Sequence, residues 1–118
     1  MNALLTVVFI LQILAALATI ATGVYALIRP NATTGFTGLA PTGPRGVTEI
    51  RSVLGGLFIF LGLAAILLGG KAYTALGIGY LGIAIVRAVS MWLLDGSVMR
   101  SNVISLIVEL VFGAILVL

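Results

Sequence analysis

The sequence predicts an all-α fold, an integral membrane four-helix bundle whose antiparallel helices run up, down, up and down. Composition is the first reason, because 62% of the 118 residues are hydrophobic and only 8% are charged. Soluble domains are about 45–50% apolar and about 25% charged. The second reason is that the apolar residues form four long runs, each close to the roughly 20 residues that cross a hydrocarbon core. The third is that very short turns separate the last three runs.

The four predicted membrane spans cover about residues 3–28, 50–69, 72–94 and 100–118, and residues 29–46 form a loop. Together they make residues 1–118 a single transmembrane domain. The first span is longer than the hydrophobic segment of a cleavable signal and has no basic residue before it, so we expect it to be retained. Because lipid offers backbone groups no hydrogen-bond partner, the spans must be helices.

Short turns set the directions of the helices. Gly69–Lys71 and Asp95–Ser97 leave no room for a crossover, so consecutive helices are expected to be antiparallel, with both termini on one side. Basic residues then indicate the orientation, because cytoplasmic loops carry an excess of lysine and arginine. Most of them lie at or near the first and third loops, which places these two loops in the cytoplasm: Arg29, Arg45, Arg51 and Arg100.

Four charged residues lie inside the predicted spans or at the mouth of one: Glu49, Arg51, Arg87 and Glu109. An ionised side chain at the centre of a membrane helix costs roughly 2.5–3.5 kcal/mol, so each needs a partner or a water-filled site. At a rise of about 1.5 Å per residue, all four reach the same leaflet. We therefore predict a neutral, hydrogen-bonded charge cluster near the first and third loops, in which Arg87 binds Glu109, Glu49 or both.

Other polar residues share helix faces with these charges at helical spacing. The predicted supporting residues are Ser52, Tyr80, Ser90, Asn102 and Ser105. Such a cluster has three interpretations: an ion pair that fixes helix register, a site for a ligand or ion, or a proton relay. The sequence alone does not choose between them.

The chain contains no cysteine and no histidine. This excludes disulfides, thiolate or histidine catalysis and the usual zinc and copper sites. We predict no metal, no cofactor and no enzymatic activity, and residues 43–46 also lack the Gly-Lys-Ser/Thr ending of a phosphate-binding loop. The six basic residues are scattered along the chain, so no nucleic-acid partner is expected.

Four stretches of the sequence carry a resemblance to a known family: Gly46-Val-Thr-Glu-Ile-Arg-Ser-Val-Leu-Gly-Gly56, Ala84-Ile-Val-Arg-Ala-Val-Ser90, Asp95-Gly96 and Glu109. With these stretches the chain resembles domain-of-unknown-function family 4345, which consists of small bacterial membrane proteins. The resemblance covers almost the whole chain. It implies four membrane helices and the bacterial inner membrane, but no activity. The polar positions of that family match Glu49, Arg51, Arg87 and Glu109.

Two functions fit the sequence. The first is an accessory or scaffold subunit of a larger membrane complex, since the chain has little mass outside the membrane and no catalytic set. Its partners would be the lipid bilayer and other membrane protein subunits. The alternative is a small bundle that binds or transports a lipid or a small solute through the buried Glu/Arg cluster. Small multidrug exporters have a similar length, but they carry an essential acid in the first helix, where this chain has Gln12 as its strongly polar residue.

Overall fold

Four long helices make up the computed structural model, which describes residues 2–118. They are α1 (Ala3–Ile28), α2 (Pro44–Leu68), α3 (Gly70–Leu94) and α4 (Arg100–Val117), and each is long and apolar enough to cross a membrane. No strand occurs in residues 2–118. The predicted all-α, multi-pass membrane bundle is therefore confirmed.

The second span and the first loop differ from their predicted bounds. α2 begins at Pro44 rather than near residue 50, because proline has a suitable φ and its missing N–H is not needed at the start of a helix. The loop covers residues 29–43 and is folded: a 3-10 turn at Pro30–Thr33 continues into one α-helical turn at Thr34–Thr37. Gly38 ends that turn at φ 75°, in the left-handed region that glycine adopts without a Cβ clash.

α2 and α3 each contain a π-helical stretch, at Ile50–Leu57 and Ser90–Leu94 respectively. In a π-helix each N–H binds the carbonyl five residues back, so the side chains no longer follow α-helical faces. Both stretches lie toward the end of the bundle that carries the first and third loops. Such wide turns occur frequently at functional sites.

Close backbone packing joins α1 to α2 and α3 to α4. A Cβ atom on Gly23 would lie 2.6 Å from the carbonyl oxygen of Gly55, so the backbones of α1 and α2 touch there. A Cβ atom on Gly77 would lie 3.0 Å from the carbonyl oxygen of Gly113 in the second pair. Small residues permit this approach, and the resulting van der Waals packing is what associates helices in lipid. The bundle therefore consists of two tightly packed hairpins.

The two hairpins meet closely at one end of the bundle. This terminal half lies around the beginning of α1, the α2–α3 turn at Gly69 and the end of α4. Its buried core consists of Ala15, Ala16, Ala65, Tyr73, Leu76 and Leu116. Gln12 adds a polar contact, since its Nε2 donates to the carbonyl oxygens of Ile115 (3.2 Å) and Leu116 (3.4 Å). The opposite end, the loop half, lies around residues 29–43 and 95–99.

Candidate functional site

An ion pair between α3 and α4 is the centre of the candidate site. Arg87 Nε donates to both carboxylate oxygens of Glu109, and its distance to Oε2 is 3.0 Å. The Glu109 side chain is 7% exposed and that of Arg87 is 31% exposed. Each charge neutralises the other within the membrane, where an unpaired charge is costly. The prediction that Arg87 binds Glu109 is confirmed.

Asn102 links this pair to the third loop. Arg87 Nη1 donates to Asn102 Oδ1 at 3.0 Å, and Asn102 Nδ2 donates to the carbonyl oxygen of Ser97 at 2.9 Å. Asn102 precedes Glu109 by two turns of α4, so both side chains lie on one face of that helix. The amide and the carboxylate thus hold the guanidinium group from two positions along α4.

A cavity of about 530 Å³ adjoins the ion pair between the two hairpins. All four helices and the first loop contribute to the wall of this central cavity. Its polar lining consists of Thr22, Thr37, Tyr80, Arg87, Ser105 and Glu109. Its apolar lining includes Leu54, Phe58, Val108 and Phe112. The structure therefore brings the predicted residues Tyr80 and Ser105 to one site with Arg87 and Glu109.

One nitrogen of Arg87 has no partner within the described chain. No acceptor among residues 2–118 binds Nη2, and no buried side-chain atom of these residues lacks a partner. Nη2 is therefore exposed, and its two N–H groups can donate to a bound molecule. Arg87 faces two open spaces, the central cavity and a surface crevice of about 620 Å³ beside the third loop.

Tyr80 is held by a chain of hydroxyl groups. Its Oη lies 2.5 Å from Thr19 Oγ1, and Thr19 Oγ1 donates its single proton to the carbonyl oxygen of Ala15 at 2.9 Å. Tyr80 must therefore donate to Thr19. The Tyr80 ring packs edge-on against Phe112, with 5.5 Å between ring centroids. Both rings also pack against the core of the terminal half, so they form part of the cavity wall on that side.

The first loop covers the opposite end of the cavity. Phe36 and Thr37 of its helical turn, and Leu39 after that turn, line the cavity. The Phe36 ring packs against Tyr25 near the end of α1, with 5.6 Å between ring centroids. The loop is therefore a folded cover. No charge or helical pattern marks these loop residues in the sequence, so their place at the site could not be predicted.

Three predicted members of the site lie elsewhere. Glu49, Arg51 and Ser52 are exposed on α2, and Glu49 forms no ion pair with any residue of the described chain. Arg51 Nε instead donates to the carbonyl oxygen of Leu27 at 3.3 Å, close to the end of α1. A basic side chain is favourable there because the last carbonyls of a helix lack intrahelical partners. The prediction of a four-charge cluster is therefore wrong for Glu49 and Arg51.

Ser90 binds the third loop rather than lining the central cavity. Its Oγ donates to Asp95 Oδ2 at 2.5 Å, and the backbone N–H of Ser97 donates to Asp95 Oδ1 at 2.8 Å. The Ser90 hydroxyl, followed by the Ser97 groups, lowers the pKa of the Asp95 carboxyl from its ordinary value. Asp95 is therefore ionised at neutral pH and accepts hydrogen bonds from both sides of the turn after α3.

The chemistry that this site offers is hydrogen bonding beside a neutral ion pair. Within residues 2–118, no group of three or more acidic side chains converges as metal ligands would. A scan against family models found no match, and comparisons with curated proteins and with solved structures found none either. The resemblance to family 4345 therefore stays a prediction.

Proposed function

We propose that this protein binds a small amphiphilic molecule in the central cavity, inside the membrane. The observation that carries the proposal is the open space of about 530 Å³ beside the ion pair of half-buried Arg87 and buried Glu109. Ligand cavities measure about 300–1,000 Å³ and combine apolar walls with a few convergent polar groups. The central cavity has both features, and ionisable residues inside a membrane are functional candidates by default.

The exposure of Arg87 supports binding over a purely structural role. An ion pair that fixes helix register is most stable when both groups are packed and fully hydrogen-bonded. Arg87 instead keeps Nη2 free of any acceptor among residues 2–118, and its side chain is 31% exposed. An acceptor on a ligand would complete its hydrogen bonding in surroundings of low dielectric constant, where a polar contact is stronger than in water.

We propose the accessory-subunit function as the second candidate. Residues 98–101 and most of residues 38–43 are exposed at the same end of the bundle, and Thr42, Arg100 and Ser101 supply polar groups on this surface. A partner subunit would depend on such contacts, because apolar helix faces have no hydrophobic drive toward each other in lipid. The resemblance to family 4345 supports the bacterial inner membrane as the location for either function.

The test is extraction of the protein in polymer-bounded discs of native membrane, followed by mass spectrometry of everything that co-purifies. The binding proposal predicts a small molecule in near-stoichiometric amount. Ser105→Leu places a larger apolar side chain in the cavity without changing the ion pair, so it should release this molecule. Ser101→Leu is the matched control, because Ser101 lies one turn earlier on α4 and does not line the cavity.

Retention of the molecule by Ser105→Leu would contradict binding in the central cavity. If the discs instead contain other membrane proteins in a fixed ratio and no retained small molecule, the accessory-subunit function replaces the binding function. Release by both serine variants would indicate a general loss of folding, which circular dichroism of the same samples would reveal.

A further inference from the structure

The central cavity adjoins an apolar groove between α2 and α3. The groove has a volume of about 420 Å³ and shares Phe58, Tyr80 and Ile83 with the cavity wall. Beyond these shared residues its wall is almost entirely apolar and includes Leu61, Ala64, Ala75 and Gly79. The two neighbouring spaces therefore differ in character: the cavity is polar at Arg87, and the groove is apolar toward the α2–α3 turn.

The length of the groove fits a hydrocarbon chain. Ala72, at the far end, precedes Arg87 on α3 by about four turns, or ~22 Å along the helix axis. One leaflet of a bilayer has a hydrocarbon depth of about 15 Å. A lipid chain that starts at the ion pair would therefore stay within the groove over most of its length.

The charge of the cavity selects the kind of head group. Arg87 and Glu109 are the charged residues that line it within the described chain, and they neutralise each other. A charged head group would enter without a counter-charge or would have to break this pair, and both are costly inside a membrane. A hydroxyl-bearing ester needs neither change, because it can accept from Arg87 Nη2 and donate to a free lone pair of Glu109.

We infer that the ligand is an uncharged, single-chain lipid of the monoacylglycerol type, with its head at the Arg87–Glu109 pair and its chain in the groove between α2 and α3. This inference rests on the proposed binding function and adds the chemical class of the ligand. The first loop then covers the head group, since Phe36 and Thr37 line that end of the cavity.

Photoreactive lipids test this assignment with the full chain in phosphatidylcholine nanodiscs. Three probes carry the same diazirine-bearing chain: a monoacylglycerol, a fatty acid and a lysophosphatidylcholine. At neutral pH we expect the monoacylglycerol to label α2 and α3 at least about tenfold more than either probe with a charged head, a ratio that corresponds to ~1.4 kcal/mol. Gly79→Leu should abolish this labelling, because its side chain would occupy the groove.

Gly82→Leu is the matched control. Both glycines are exposed on α3 and a Cβ atom at either meets nothing within 4 Å, but Gly79 lines the groove and Gly82 does not. Gly82→Leu should therefore keep the labelling. Equal labelling of the two variants, or equal or stronger labelling by a probe with a charged head, would overturn the inference.

The same experiment separates this inference from the proposed function. If no probe labels the groove while native discs retain another molecule that Ser105→Leu releases, the lipid class is wrong and the binding function stands. If the nanodiscs show no labelling and the native discs retain no molecule, both the lipid class and the binding function are wrong.

Discussion

The terminal half and the loop half of the bundle are built from different side chains, although the same four helices run through both. In the terminal half, the small side chains Ala15, Ala16 and Ala65 of the first hairpin share one buried core with Leu76 and Leu116 of the second. In the loop half, the cavity wall is formed by long or aromatic side chains, among them Arg87 and Phe58, and the hairpins stay apart. Residue size along a membrane helix therefore influences where the two hairpins share a core and where they leave a cavity between them.

The two halves also differ in the forces that hold them. Lipid provides no hydrophobic drive between helices, so the terminal half depends on close van der Waals packing. The loop half has close packing as well, at Gly23 and Gly55, but it adds charge-assisted hydrogen bonds between α3 and α4, which are strong but leave a costly buried charge when one partner is lost. Substitutions in the two halves should therefore differ in how much stability they cost. They should also differ in whether a second substitution restores that stability.

The largest effect on stability is expected in the loop half, from Arg87→Leu. This change leaves the Glu109 carboxylate buried without its partner, which costs roughly 3–5 kcal/mol for a buried pair. Replacing both residues by leucine removes both charges and should recover most of the loss. Thermal unfolding in detergent, followed by circular dichroism, compares the single variant, the double variant and the wild type. Equal losses in the two variants would show that the pair does not determine stability.

In the terminal half the corresponding change is Gly77→Ala. The new Cβ atom would lie 2.8 Å from Leu116 Cβ and 3.0 Å from the carbonyl oxygen of Gly113, so α3 and α4 must move apart. Overpacking of this kind costs roughly 1–3 kcal/mol. Gly79→Ala is the matched control, since a Cβ atom there meets nothing within 4 Å. Alanine in an open helical position stabilises by about 0.5–1 kcal/mol relative to glycine. In the unfolding assay, the stability of the wild type should lie between those of the two variants. A Gly77→Ala protein as stable as the wild type would contradict the close contact between α3 and α4.

The spans and the Arg87–Glu109 pair could be predicted from the sequence for one physical reason. In lipid, a long apolar run must be a helix and a charge within it must find a partner. The depth of each charge follows from its distance to the nearest loop, at about 1.5 Å per residue. Depth places Arg87 and Glu109 in one leaflet, and an acid and a base at matching depth on neighbouring helices attract each other.

Depth does not fix the face of a helix, and this is why Glu49 and Arg51 could not be placed. The predicted faces assumed α-helical spacing, whereas Ile50–Leu57 is π-helical. Arg51 is exposed although Gly55, about one α-helical turn later, is buried. The cavity itself was not predictable either, because its cover depends on the contact of Phe36 with Tyr25, which no local sequence pattern encodes.

A smaller effect is expected at the boundary of the two halves, where Tyr80 binds Thr19. Tyr80→Phe removes this hydrogen bond but keeps the ring that packs against Phe112. Side-chain hydrogen bonds between membrane helices contribute about 0.6 kcal/mol on average, so we expect a loss of that order. Thr19→Val removes the same bond, and the loss in the double variant should be smaller than the sum of the single losses. Strictly additive losses in the unfolding assay would mean that the two hydroxyl groups do not interact.

The smallest effect is expected outside the membrane, at the turn that follows α3. The Ser90 hydroxyl, followed by the Ser97 groups, lowers the pKa of the Asp95 carboxyl below its ordinary value of 3.8. A carboxyl whose pKa is lowered in the folded state stabilises that state above its unfolded-state pKa. This contribution is lost as the pH falls through the folded-state pKa. Asp95 is fully exposed, so solvent screening keeps the contribution small.

Amide hydrogen exchange in the last turn of α3 measures this local contribution. Protection factors for Asp95→Asn should be lower than those of the wild type at neutral pH. The difference should shrink as the pH falls below 3.8 and vanish once the pH is below the lowered pKa of the folded state, where the wild-type carboxyl is also neutral. Ser90→Ala keeps the Asp95 charge but removes the hydrogen-bond donor that lowers the pKa of Asp95 most. This variant should therefore lose most of the same protection against exchange. A difference between Asp95→Asn and the wild type that persists unchanged into acid would contradict a role for the ionised carboxylate and assign the effect to side-chain shape.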